Sequence, residues 1–151
     1  MNNIKNLRPK RDSHYKQGYI DTDKCKKLLE SAKGKPIIFR SSWEKQFVGW
    51  CERSDKVQSW ASEPICIDYS MPDGSKHHYY PDFAVVFTNG DKWIVEIKPY
   101  AETQKPYYEN DYVMKTYIKN RCKWAAAQQA CEANGWRFVI LTEHTIKRLI
   151  V

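Results

Sequence analysis

The stretch HHYYPDFAVVFTNGDKWIVEIKPY, His77 to Tyr100, decides the fold. Two apolar runs, Tyr79–Phe87 and Lys92–Lys98, read as neighbouring strands joined at TNGD. The first opens with Asp82 and the second carries Glu96 and Lys98. Burying such charges costs free energy unless they are paired or hold a metal. Side chains alternate along a strand, so Glu96 and Lys98 share one face with Ile94, while Trp93, Val95 and Ile97 share the other.

The turn decides where Asp82 points. A two-residue loop, Asn89-Gly90, pairs Asp82 with Ile97 and places it on the Trp93 face. A three-residue loop, Thr88-Asn89-Gly90, pairs Phe87 with Asp91 and Asp82 with Glu96. Gly90 then takes the left-handed position of a type I turn with a G1 bulge. The three-residue loop is expected, because it gathers Asp82, Glu96 and Lys98. Two carboxylates at ~5 Å repel by roughly 3 kcal/mol at an effective dielectric near 20. A divalent cation reverses that sign, and Mg²⁺ suits one or two carboxylates with waters and a phosphate oxygen.

Around this hairpin the chain of 151 residues reads as one domain. DTDKCKKLLESAKG has the pattern of a short helix, capped at Asp21 or Thr22 and ended by Gly34. RSSWEKQFVGWCERS is a second helix with Trp43, Phe47, Trp50 and Cys51 on one stripe. PICIDYS alternates as a strand and MPDGS turns. After a loop bracketed by Pro99 and Pro106, a long helix runs from about Asn110 to Asn134, with Gly135 just past its end. WRFVILT is a buried strand, and a last helix follows Thr142. The predicted fold class is α/β, a mixed sheet flanked by helices.

The net charge is +7. Residues 1–35 hold ten Lys/Arg and four Asp/Glu, leaving +6, and the rest leaves +1. A basic arm over residues 1–20 fits attraction to a polyanion, nucleic acid above all, and fits a solvated tail equally. Residues 21–151 form the domain. The five widely spaced cysteines, without a C-x-x-C pair, read as reduced, mostly buried thiols rather than a zinc site. No apolar run approaches a membrane span, and the start lacks the apolar stretch of a signal peptide. Expected are a protein that is not secreted, no membrane and no small-molecule cofactor. Lys115, Lys119 and Lys123 form a helical stripe, read as a solvated face. His77 and His78 read as an exposed pair before the strand, and the loop PYAETQKPYYEND lies near the site, where its aromatics and Lys105 can reach substrate.

YPDF followed by VEIK resembles the PD-(D/E)xK nuclease superfamily, whose fold is restriction-endonuclease-like. With RSSWEKQFVGWCE and GWRFVILTE, the chain is similar to two branches: the endonuclease subunits of heteromeric transposases and, more closely, the head completion nucleases of T-even-type tailed phages. The resemblance implies that Asp82 and Glu96 bind the metal, that Lys98 is the motif lysine, and that Glu44 adds a further metal-binding acid. Spacing alone makes Glu44 the N3 residue of a capping box with Ser41 as N-cap. The implied activity is a Mg²⁺-dependent deoxyribonuclease, with Mn²⁺ an alternative ion. DNA would be the substrate, phage head or neck proteins the partners, and the host cytoplasm or the virion the place of action. Two other readings stay open: a non-catalytic head or neck completion protein, and a subunit that cuts only beside a transposase-type partner.

Overall fold

The computed structural model describes residues 18–20, 24–29, 37–107 and 110–149. The chain runs β1 (Gly18–Ile20), β2 (Ile37–Phe39), α1 (Ser42–Arg53), β3 (Val57–Ser62), β4 (Ile67–Ser70), β5 (Lys76–Tyr79), β6 (Phe83–Phe87), β7 (Lys92–Ile97), α2 (Asp111–Asn134), β8 (Arg137–Leu141) and α3 (Glu143–Leu149). A 3₁₀ turn, Tyr100–Thr103, follows β7. The central sheet has the order β3-β6-β7-β8. It is mixed: β3, β6 and β7 are antiparallel neighbours, and β8 lies parallel to β7. Two small ribbons, β1-β2 and β4-β5, stand apart from it.

Strand alternation sets the layers. Phe83, Val85 and Val95 face one side and bury against Phe47, Val48 and Cys51 of α1 and Ile146 of α3. Ala84 and Ile94 face the other side and meet Cys131 of α2. The β4-β5 ribbon extends that second layer, with Ile67, Tyr69 and Tyr79 packed on Trp124 and Ala127. This is the expected mixed sheet between helices. No helix among the described residues is long and apolar enough to cross a membrane.

The hairpin register matches the three-residue loop. Phe83 faces Val95, Ala84 faces Ile94, and Val85 faces Trp93. The Phe87 N–H donates to the Asp91 carbonyl at 2.8 Å, and Gly90 has φ +95°. A Cβ on Gly90 would meet no atom within 4 Å. The cost of Gly90→Ala is therefore conformational, about 1–2 kcal/mol for an L-residue held there. We expect urea unfolding midpoints to show that loss; a variant as stable as the parent would contradict this turn.

The capping residues read from sequence, Ser41 for α1 and Gly135 for α2, are in place, and Asn110 caps the start of α2 as well. The Ser41 Oγ accepts from the Glu44 N–H at 3.2 Å. The Asn110 side chain accepts from the N–H groups of Tyr112 and Val113, and Gly135 is left-handed at φ 76°.

Four expectations need correction. Cys25–Leu29 is not helical: the Leu29 N–H donates to the Trp60 carbonyl, and the Trp60 N–H donates to that of Lys27. The Glu52 carboxylate accepts from the N–H groups of Lys26 and Lys27 and from Trp60 Nε1 at 2.6–3.0 Å. That anchor holds the segment along β3, where Leu28 enters the core. The rest of that expected helix falls mostly outside the described residues. Tyr79–Phe87 is two strands, because β5 pairs with β4 whereas β6 pairs with β3 and β7. Pro81, between them, has no N–H to continue a ladder. Strands β1, β2 and β3 were not expected, and β1 takes the last residues of the basic arm. Residues 1–17 of that arm lie outside the described residues. All five cysteines are thiols as expected, but only Cys51 and Cys131 are buried, and Cys66 is exposed.

Candidate active site

Asp82 stands just before β6, opposite Glu96 when the hairpin register is continued by one pair. Its backbone and its side chain are both held. The Asp82 carbonyl accepts from the Glu63 N–H at 2.8 Å, and Oδ2 accepts from the Ile97 N–H at 2.7 Å. Glu96, near the end of β7, is only 7% exposed. Its Oε2 accepts from the Tyr79 hydroxyl at 2.5 Å. Lys98 continues the β7–β8 ladder, its N–H donating to the Leu141 carbonyl at 2.9 Å. Glu44 enters from the first turn of α1, also 7% exposed. All four expected site residues line one cavity of about 300 Å³, together with Arg40 and Glu102.

Glu44 has the cap that its spacing indicated and also lines the cavity. As N3 of α1 it sits in a capping box whose Ser41 side chain accepts from its N–H. Its Oε2 accepts from the Arg40 N–H at 2.5 Å. The cap holds the carboxylate at the cavity wall rather than competing with a role there.

The electrostatics are those of crowded acids. Burial raises the pKa of Asp82 well above the usual range, and the charges of Glu96 and Glu44 push it the same way. The Ile97 N–H and Lys98 offset part of this. Burial likewise raises Glu96, against the Tyr79 hydrogen bond and the charges of Lys98 and Lys123. Burial raises Glu44 too. Acids raised together, facing one polar cavity, are what a hard divalent cation relieves, since oxygen ligands are its preference. The donor set therefore fits a divalent cation of that kind, and Asp82, Glu96 and Glu44 are the residues that could hold it.

Three contributors escaped the sequence reading. Arg40 lines the cavity and pairs with Glu63 at 2.7 Å. Tyr79 lies on the ribbon face packed against Trp124 and Ala127 of α2 and from there reaches Glu96. Lys123 departs from its stripe: Lys115 and Lys119 are exposed, but Lys123 is half-buried with Nζ 5.5 Å from the Tyr79 ring centre. Burial, followed by the charges of Lys119 and Lys98, lowers its pKa. The helical spacing of the three lysines carried no sign of this, since only the fold shows which of them meets β5.

Comparison with known proteins identifies the family. Residues 54–143 match the sequence family described as TnsA-like endonuclease N terminal. The chain is also similar to the head completion nuclease of Enterobacteria phage T4. The two are 34% identical over 126 residues, covering 76% of this chain and 84% of that protein.

Proposed function

The chain belongs to the TnsA-like endonuclease family, a nuclease family, and from that premise we propose that it is a divalent-metal-dependent deoxyribonuclease acting in phage head completion. The observation that carries this reading is the convergence of Glu44, Asp82, Glu96 and Lys98 in one cavity. The likeness to the T4 head completion nuclease supports the biological setting. Phage head or neck proteins are then its partners, and the infected host's cytoplasm or the virion its place of action.

Asp82 and Glu96 hold the cation in this reading, with Glu44 completing its surroundings. A Mg²⁺ or Mn²⁺ ion held by these acids would supply Lewis acidity, polarising a phosphodiester oxygen and lowering the pKa of water. The protein's own residues do the rest. Tyr79 occupies one oxygen of Glu96 and so fixes its orientation. The Ile97 N–H does the same for Asp82. Lys98, on the same strand face as Glu96, orients the attacking water and stabilises charge growing on the phosphate. Arg40, at the cavity wall, exchanges Glu63 for a phosphate of the incoming strand.

The test is nicking of supercoiled plasmid by the purified chain. Relaxed circles should accumulate with Mg²⁺ or Mn²⁺ and not with chelator. A protein that cuts with neither ion would instead fit the non-catalytic completion role. Cutting only when a second protein is added would fit the transposase-type role.

The arm makes a separate prediction. Residues 1–17 contain five Lys/Arg and one Asp. Their deletion should weaken DNA binding and flatten its salt dependence, by roughly 0.9 in log–log slope for each phosphate the arm neutralises. Fluorescence anisotropy across a salt series reads this directly. An unchanged slope would make the arm a solvated tail.

A further inference from the structure

The β4-β5 ribbon presents a second set of metal-type donors, remote in chemistry from the carboxylate cavity. We propose that its outer face is a transition-metal site, taking Zn²⁺ or Co²⁺ on Cys66, Asp68 and His78. The ribbon's register places Asp68 directly opposite His78. Cys66 lies two residues before Asp68 and so projects from the same face. One ligand atom from each of the three lies within 4.8 Å of the others. His78 Nδ1 and Asp68 Oδ1 are already 2.7 Å apart.

The scaffold is rigid where it needs to be. Ile67, Tyr69 and Tyr79 point the opposite way and are buried on Trp124 and Ala127 of α2. The donors' Cβ positions are therefore set by a packed ribbon, while their tips remain open to solvent. The Asp68 and His78 side chains are 81% and 67% exposed, so an ion reaches them without opening the fold. Tetrahedral zinc at the usual bond lengths sets its ligand atoms about 3.3–3.6 Å apart. The three tips, already within 4.8 Å of one another, stand close to that spacing.

The donor types choose the ion. Thiolate, imidazole and carboxylate together suit zinc and its first-row neighbours, whereas Mg²⁺ takes oxygen. The two sites thus sort metals by chemistry: all-oxygen in the cavity, mixed sulfur, nitrogen and oxygen on the ribbon. Three protein ligands leave a fourth position for water, with the Tyr80 hydroxyl close to Cys66. Binding releases the Cys66 thiol proton, so affinity rises with pH. The sequence lacks a C-x-x-C pair because these ligands meet across two strands rather than along one segment.

The experiment uses the full chain, reduced and metal-free, in saturating Mg²⁺ so that the oxygen site is filled. Co²⁺ is titrated in and followed by absorption. A one-to-one complex should form, with thiolate-to-cobalt charge transfer in the near ultraviolet, and Zn²⁺ should displace it. Cys66→Ser should abolish the charge-transfer band, with circular dichroism confirming an unchanged fold. Asp68→Ala and His78→Ala should each weaken binding by at least about tenfold, the loss that an outer-shell change alone can cause. Asp82→Asn should leave the complex intact. Absence of the band, its survival in Cys66→Ser, or its loss in Asp82→Asn would each overturn the site. None of these readouts depends on DNA cleavage, so the proposal stands or falls apart from the nuclease reading.

Discussion

Asp82→Asn is expected to cut plasmid nicking by at least about 10³-fold while leaving the fold intact. Losing the Lewis-acid contribution of a held cation removes several kcal/mol of transition-state stabilisation, and each 1.36 kcal/mol is tenfold in rate. The substitution keeps the shape of the side chain and can still accept from the Ile97 N–H, the contact that Asp82 Oδ2 makes at 2.7 Å. It also removes a buried carboxylate whose pKa is raised by burial and by the charges of Glu96 and Glu44. Melting temperature should thus be equal or higher, which separates lost chemistry from lost structure. Glu96→Gln and Lys98→Ala should follow the same pattern, Lys98→Ala without any gain in stability because it removes the compensating cation. Three variants that nick as fast as the parent would remove the basis of the proposed mechanism.

How much of this was legible depends on where the deciding partner sits. The hairpin register was readable because only one turn length gathers Asp82, Glu96 and Lys98, and the structure has that turn. The cap of α1 was readable because Ser41 and Glu44 are local to each other. Cys25–Leu29 misled because its apolar pair suits a helix as well as an extended run, and the deciding partner, Glu52, lies 25 residues on from Lys27. Strand β3 was hidden by a register shift between Val57 and Ser59, which spoils the alternation of VQSWAS. Lys123 and Tyr79 meet only because α2 covers the β4-β5 ribbon. Local chemistry was visible, and neighbours brought together by tertiary packing were not.

Acidification should stabilise the metal-free protein before it denatures it. Asp82, Glu96 and Glu44 each have a folded pKa raised above the ordinary value. Between the ordinary value and the raised one, the folded chain binds more protons than the unfolded chain. Stability therefore falls as pH rises through that window, and the loss is complete above the raised values. Without divalent ions, the melting temperature should climb as pH is lowered from about 8 toward the ordinary carboxylate range. Ca²⁺ or Mg²⁺ should oppose this by binding the ionised cluster. At a hundredfold excess over its dissociation constant, such an ion stabilises by about 2.7 kcal/mol, which for a chain of this size raises the melting temperature by roughly 5–10 °C. Asp82→Asn combined with Glu96→Gln should flatten the pH dependence and erase the ion's effect together, because both arise from the same carboxylates. Calorimetric scans with and without the ion read both quantities. A parent protein whose melting temperature ignores divalent ions at pH values where the acids are charged would show that the cluster is not a cation site.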